Sequence, residues 1–402
     1  MNTSFANPAP SAGAATEPST PPLKILVVVE PGIAGTFGHV EGLVQFLLAQ
    51  NQQVWLAYSS KRTGPAVAGV LALVEKHGGK CLDLRVGNAP CPGDLSAFLR
   101  LRNFAREFRP DVIHSHSSKA GVLARALALT GIPARQIYTP HAYYGLAPRA
   151  GLINLFYNGI ESFFGRIGQS IQVSEDEKEF ATRTLGIAPE RCLVVPIAVD
   201  PVKFTPATPE EKAAARRKRN LPPDIPVLGW MGRINFQKDP HTLYRALGIL
   251  LRQGKTKCHL LHLGKEDGIE TLAPIMREYH LEPYITRISY IDDTIDFFHA
   301  LDGLILNSRY EGCPSTALEA LSAGLPVILS QAPGTNWLTQ SHLSHCWSAR
   351  PADADGFADA MAQWLADLPA HRESNHRAFV LDRLSIAQMY GKILEAYRAR
   401  PT

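Results

Sequence analysis

Short apolar runs alternate with helical patterns along this chain, and that alternation narrows the fold more than any other feature. Lys24–Val29 reads KILVVV and stops at Glu30, Pro31 and Gly32. A run of that length, closed by turn residues, is a strand buried on both faces. A helical pattern follows from Gly35, with Val40, Leu43, Val44, Leu47 and Leu48 on one face. Strands are predicted at 53–57, 81–84, 111–114 and 136–139, with helices at 67–77, 95–108 and 121–129 between them. Polar Ser115 and His116 are read as ending the strand at 111–114. The pattern restarts after Pro196, with strands at 226–231, 258–263, 301–306 and 325–329 and a helix at 241–251. Such alternation predicts an α/β chain with doubly wound parallel sheets.

A length of 402 residues suits two or three domains. The pattern divides into residues 23–196 and 203–380, joined by a short link at 196–201. Residues 381–400 carry Ile386, Met389, Ile393, Leu394 and Tyr397 at helical spacing, which predicts a helix that packs on another element. The first 22 residues hold one charge, Glu17, and five prolines. They cannot bury enough apolar surface to order themselves, and they lack the pattern of a signal peptide.

Charge excludes one class of partner. Lys and Arg exceed Asp and Glu by four, 41 against 37, too small an excess for a nucleic-acid binder. The run Arg216-Arg-Lys-Arg219 ends a polar helical stretch and reads as a solvated face. Six cysteines without a C-x-x-C pair form neither a disulfide framework nor a zinc knuckle, and favour a reducing compartment. No stretch reaches 18 uncharged apolar residues. A cytoplasmic chain is expected, either free or held peripherally on the inner face of a membrane.

Three segments point to chemistry. Glu311-Gly-Cys-Pro-Ser-Thr-Ala-Leu-Glu319 follows an apolar strand. Gly312 and Pro314 make a turn, and Ser315 or Thr316 is placed to cap the next helix. A strand end, a glycine turn and a helix N-terminus attract phosphate. Glu311 and Glu319 flank that turn, and carboxylates accept hydrogen bonds from sugar hydroxyls. The second segment is Gly232-Arg-Ile-Asn-Phe-Gln-Lys238, again after a strand. Gly232 allows close approach of a ligand. Arg233 and Lys238 set two cations where a diphosphate accepts both. The third lies earlier. His114, His116 and His141 follow strands and are weighed as metal ligands, with no carboxylate or cysteine at a helpful spacing. His114 reads as strand packing and His141 as a ligand contact. Gly32, Gly35 and Gly38, three apart, look like a phosphate turn without the G-x-G-x-x-G spacing. Neither a nucleophile elbow nor a P-loop is present.

In order, Gly35-Thr-Phe-Gly-His-Val, Pro110-Asp-Val-Ile-His-Ser-His, Tyr138-Thr-Pro-His141, Val195-Pro-Ile-Ala-Val-Asp200, Gly232-Arg233 with Lys238, Ser308-Arg-Tyr-Glu-Gly312 with Glu319, and Ala323-Gly-Leu-Pro-Val327 resemble the retaining nucleotide-sugar glycosyltransferases of family four (glycosyl transferases group 1). The resemblance spans residues 23–400, and the E-x7-E frame is its most specific part. It implies a GT-B fold, two Rossmann-like domains facing across a cleft, with the last helix crossing back to the first domain. It implies Arg233 and Lys238 on the donor diphosphate, Glu319 on the ribose, and Glu311 on the transferred sugar. It places His141 toward that sugar and Gly35 near the phosphates. Gly232, Pro314, Ser315 and Thr316 join the donor contacts. Metal is generally not needed in such enzymes. The donor is a nucleotide-diphosphate sugar, UDP favoured and GDP the alternative. The acceptor is a saccharide or a lipid-linked one, and the oligomeric state is left open.

Several positions depart from the family pattern. Ile197-Ala198 stand where Asn-Gly is usual, Asp239 follows Lys238 in place of Gly, and Gly264-Lys-Glu-Asp-Gly268 replaces a G-x-G strand end. Pro333-Gly-Thr-Asn-Trp337 occupies the place of a Gly-Gly turn. The aromatic segment 152–171 reads as a core helix or as an acceptor-side surface meeting lipid. Two other functions compete: a UDP-sugar 2-epimerase or inverting GT-B enzyme, and a non-catalytic nucleotide-sugar-binding scaffold.

Overall fold

A computed structural model of the chain describes residues 21–399, except 33, 65, 88, 148–150, 255–256, 290, 292 and 369–374. The N-terminal tail expected at 1–22 lies outside the described residues but for its last two.

Among the described residues, thirteen strands form two parallel sheets. The first contains β1 (Lys24–Val29), β2 (Gln53–Tyr58), β3 (Cys81–Asp83), β4 (Val112–His116), β5 (Arg135–Thr139), β6 (Gln169–Gln172) and β7 (Cys192–Val194), in spatial order 3-2-1-4-5-6-7. The second contains β8 (Val227–Met231), β9 (His259–Leu263), β10 (Ile285–Ile288), β11 (Gly303–Leu306), β12 (Val327–Ser330) and β13 (Cys346–Ala349), in order 10-9-8-11-12-13. Each order reverses once, between β1 and β4 and between β8 and β11, and ligands of open parallel sheets bind at such points. Successive residues of each central strand feed opposite cores. Ile25, Val27 and Val29 face one layer of helices, while Leu26 and Val28 face the other. In β12, Val327 and Leu329 face one layer and Ile328 the other. The two sheets, covered on both faces, make the GT-B architecture.

The helix Ile386–Arg398 belongs to the first sheet's core although it follows the second sheet. Met389, Tyr390, Ile393, Leu394 and Tyr397 are buried beside Val40, Leu43, Val44 and Leu47 of the helix Ala34–Ala49. The link is tied to the same region: Ala198 N–H points at the Met389 sulfur, 3.1 Å away, and Val199 bridges to Ser385.

Four readings of the sequence need correction. β4 runs through Ser115 and His116, both buried, because Ser115 Oγ donates to Ile137 O and His114 is held at both ring nitrogens. Strands β6, β7, β10 and β13 carry too few apolar residues, or are too short, to show periodicity. In the basic run, Arg216 is buried, not solvated, and donates to Ala300 O, to Pro223 O and to the Asp302 carboxylate. The segment beginning at Leu152 is no core helix. Helix Leu152–Phe164 turns Glu161 inward, where Arg125 donates to Glu161 Oε2 at 2.8 Å and the Tyr138 hydroxyl to Oε1 at 2.9 Å. That buried pair fixes the helix rotation, so Leu152, Ile153, Leu155, Phe156 and Phe163 face outward. Among the described residues, no helix is long and apolar enough to cross a membrane.

Candidate active site

A cavity of about 810 Å³ opens between the carboxyl ends of the two sheets. The first domain lines it with Glu30, Gly35, Arg62, Lys119, His141 and Tyr143, the second with Arg233, Gln237, Lys238, Tyr310, Glu311 and Ser315. Gly35, His141, Arg233, Lys238, Glu311 and Ser315 therefore meet in one space, as their positions at strand ends imply. Gly232, Pro314, Thr316 and Glu319 are not on its described wall.

The second-domain wall is built by locking the loop after β8 to the loop after β11. Trp230 Nε1 donates to Asn307 Oδ1 at 2.9 Å, and Asn307 Nδ2 donates to Asp239 O at 2.6 Å. Arg309 N–H donates to Gln237 O at 2.8 Å, and Gln237 Nε2 to Tyr310 O at 3.2 Å. Asp239, at φ +47°, takes the left-handed conformation that suits a glycine there. Its side chain offsets the strain by accepting from Thr242 Oγ1 and pairing with Arg309, both at 2.8 Å. This scaffold presents Lys238, whose Nζ donates to Glu311 Oε1 at 2.6 Å. Glu311 is buried, so the pair is poorly screened and Lys238 is held at the wall. Gly334 completes the backing. A Cβ there would fall 2.1 Å from Glu311 O, so the chain after β12 lies directly against the glutamate backbone.

Helix Ser315–Ser322 points its N-terminus at the cleft. Its first turn has no hydroxyl cap, since Pro314 holds the capping position and Ser315 and Thr316 are already helical. The expected cap is thus absent, and the Ser315 side chain faces the cavity instead. One turn in, Glu319 is half-buried. Burial pushes its carboxyl up to about 7, with Lys203 pulling the other way.

The first-domain wall differs from the expected glycine turn. Gly35 and Gly38 lie inside the helix Ala34–Ala49, and only Gly35 reaches the cavity. Ala34, two positions after Gly32, is the first helical residue, so Gly35 and Gly38 stand in helix geometry rather than in a phosphate loop. His114 packs inside the sheet, its Nδ1 2.6 Å from the Tyr397 hydroxyl and its Nε2 2.9 Å from Thr139 Oγ1. His141 and Ala142 sit at φ +56° and +97°, two consecutive side-chain-bearing residues in the left-handed region. Glu177 holds them there. Its Oε1 accepts from Ala142 N–H and its Oε2 from Val173 N–H, each at 2.8 Å. The kink pushes the His141–Ala142 backbone against Gly312, where a Cβ would come within 2.8 Å of both His141 C and Ala142 N. Nearby, Asp176 crosses the cleft and accepts from Gly334 N–H at 2.9 Å.

Glu177 and Asp176 were absent from the sequence candidates. Ser174-x-x-Glu177 has the form of a capping box after a strand, and the Ser174 hydroxyl does accept from Glu177 N–H at 3.2 Å. The ion pairs Arg62–Glu30 and Lys119–Asp94, each at 3.0 Å beside the cavity, join residues far apart in sequence and left no local signal.

Burial pushes the Glu177 carboxyl up to about 7, with the Val173 and Ala142 amides pulling it back. Its folded value lies above its unfolded one, so its stabilising share is full below about 4.5 and is lost as pH rises through about 7. Glu177→Gln will therefore be less stable than wild type near pH 5, by about 1–3 kcal/mol for a weakened pair of buried amide bonds. The gap will narrow as pH rises to about 8. Thermal melts of both proteins across this range measure it, and a gap that widens with pH would contradict the assignment.

Comparison with known proteins follows the two domains. The Glycosyltransferase Family 4 model matches residues 33–203 and the Glycosyl transferases group 1 model residues 211–378. The chain is 25% identical over 315 residues to an Escherichia coli UDP-Gal:alpha-D-GlcNAc-diphosphoundecaprenol alpha-1,3-galactosyltransferase, covering 76% of this chain and 79% of that one. It is 28% identical to the D-inositol 3-phosphate glycosyltransferase of Actinosynnema mirum, with the same coverage of both chains. In structure it is similar to Anabaena Alr3699/HepE in complex with UDP-glucose, at TM-score 0.76 and 18% identity, covering 94% of this chain and 99% of that one. Two matched domain models, one on each side of a cleft at the switch points of two parallel sheets, show that the chain belongs to the family-four GT-B nucleotide-sugar glycosyltransferases.

Proposed function

We propose that the chain transfers a hexosyl or N-acetylhexosaminyl group from a UDP-sugar to a saccharide or lipid-linked acceptor, with retention of anomeric configuration, in cell-surface polysaccharide or glycoconjugate synthesis. The observation that carries this reading is the pair Arg233 and Lys238 on the cavity wall, with Lys238 held by buried Glu311. As the anomeric bond breaks, the leaving diphosphate gains negative charge, and cations already in place stabilise it. Arg233 and Lys238 take that role. Glu311 meets the hydroxyls of the transferred sugar, His141 approaches the sugar from the other domain, and Glu319 reads the ribose. Gly232, Pro314, Ser315 and Thr316 shape the phosphate contacts. In this reading residues 23–196 form the acceptor side, 203–380 the donor side, and 381–400 the tie between them. The sugar becomes oxocarbenium-like, and retention proceeds on the face of the leaving group, where a donor phosphate oxygen takes the acceptor proton. The E. coli relative's UDP-galactose and diphosphoundecaprenol acceptor support a UDP-sugar and a lipid-linked saccharide.

Two measurements address the donor site. Lys238→Ala removes a cation from a partly desolvated diphosphate, a loss of about 2–5 kcal/mol. kcat/KM for transfer should fall about 30-fold to several thousand-fold, and an unchanged value would remove Lys238 from the site. Proton NMR of early product from an α-linked UDP-sugar should show an α-linkage. A β-linked product would favour an inverting enzyme, and free UDP with a 2-epimerised sugar would favour an epimerase.

The helix Leu152–Phe164 favours a lipid-side acceptor. Its outward face carries Leu152, Ile153, Leu155, Phe156 and Phe163 and no charge, while Phe156, Tyr157 and Ile160 also line the cavity. The apolar face thus runs into the reaction space, and in this reading it rests on the cytoplasmic leaflet. Leu152 and Leu155 are 83% and 71% exposed, and each buried leucine contributes about 1.5–3 kcal/mol. The double variant Leu152→Ser, Leu155→Ser should lose binding to phospholipid vesicles about tenfold or more while keeping turnover of a water-soluble acceptor. Equal vesicle binding by both proteins would reject the lipid contact.

A further inference from the structure

Beside the cavity, three imidazoles from three separate elements converge: His39 from the helix Ala34–Ala49, His116 from the end of β4, and His141 from the kink after β5. One nitrogen of each lies within 4.8 Å of the others. His116 Nδ1 and His141 Nε2 are 3.1 Å apart. That is close to the edge of ~3.3 Å that two nitrogens span on one tetrahedral zinc ion with bonds of about 2.0–2.1 Å. The His39 ring lies edge-on to His141 at 5.1 Å between centroids and tilted to His116 at 5.6 Å, while His116 and His141 are stacked at 5.3 Å.

The cluster leaves polar atoms unmatched. His39 is 7% exposed and His116 fully buried, yet among the described residues both ring nitrogens of His39 and Nε2 of His116 have no hydrogen-bond partner. Buried donors and acceptors of this kind are rare and costly. The neighbouring His114 is the contrast, satisfied at both nitrogens and therefore a packing residue. An ion has a way in, because His141 is on the cavity wall.

We infer that His39, His116 and His141 bind one zinc-class transition-metal ion, with the fourth position open to the cleft, and that an ion held there withdraws His141 from the donor sugar. Imidazole sets of this kind suit zinc, copper, nickel and iron rather than magnesium or calcium. The ion occupies a regulatory place, distinct from the cationic side chains that meet the diphosphate. Its binding stands apart from the proposed transfer, while its effect on rate rests on that reading.

Chelator-stripped protein titrated with Zn²⁺ should take up one equivalent. Titrated with Co²⁺, it should give the visible absorption of a tetrahedral site without the charge-transfer band of a thiolate ligand. His39→Gln and His116→Gln should each weaken Zn²⁺ binding at least about tenfold, and exposed His280→Gln should leave it unchanged. Far-ultraviolet circular dichroism of the metal-free variants checks that each is folded, and the Co²⁺ spectrum of the wild type needs no variant. One equivalent of Zn²⁺ should slow transfer by the wild type, chelator should restore it, and His39→Gln should resist inhibition relative to its own metal-free rate. No saturable uptake by the wild type, or uptake that His39→Gln leaves intact, would overturn the site and leave a trapped water as the partner of these nitrogens. His39-dependent zinc binding by a chain that transfers no sugar would sink the donor-site reading and leave the metal site standing.

Discussion

Glu177 commits both carboxylate oxygens to backbone amides, one in the strand-to-helix turn after β6 and one in the kink after β5. Much of the cleft depends on that one arrangement. Two consecutive left-handed residues would relax toward ordinary backbone if their amides were free. With Ala142 N–H held, His141 stays at the cavity wall and the backbone can lie against Gly312 of the other domain. The residue before Glu177 on the same helix, Asp176, reaches the Gly334 amide, and Gly334 in turn lies against Glu311. One short acidic helix start therefore positions the first-domain wall and touches the backing of the second-domain glutamate.

The cleft balances charge in pairs rather than in a cluster. Lys238 meets Glu311, Arg62 meets Glu30, and Lys119 meets Asp94. In a partly desolvated cleft an unpaired charge is costly and a paired one is held in place. Cations held in such pairs are oriented before any anionic ligand enters, which limits the reorganisation that meeting one requires.

The alternation of apolar runs and helices made the α/β class and most central strands legible, because strands buried on both faces are built mainly from apolar residues. Arg233, Lys238 and Glu311 were legible for a related reason, since charged residues just past the carboxyl end of a central strand reach the switch point. Edge strands such as β7 and β10 were not, being short and half-buried. Glu177 escaped because its partners, Ala142 and Val173, are ordinary residues whose role lies in their amides. The rotation of helix Leu152–Phe164 escaped because periodicity reports an apolar face without saying which way it turns. Glu161, Arg125 and Tyr138 decide that through contacts between distant parts of the chain. His39 was read only as part of a helix, and its meeting with His116 and His141 is likewise a product of tertiary packing.

The helix Ile386–Arg398 has a consequence for synthesis. Tyr390 donates to His39 O across 351 residues, and Tyr397 reaches His114 across 283. When the first sheet leaves the ribosome, the surface around His39, Gly42 and Phe46 that Tyr390 will meet has as yet no cover. It waits while the whole second sheet is translated. Contacts of such long sequence separation form late, and exposed apolar surface in the interval is where chaperones bind and aggregation begins. The first domain's core thus cannot be completed until the second domain has been made.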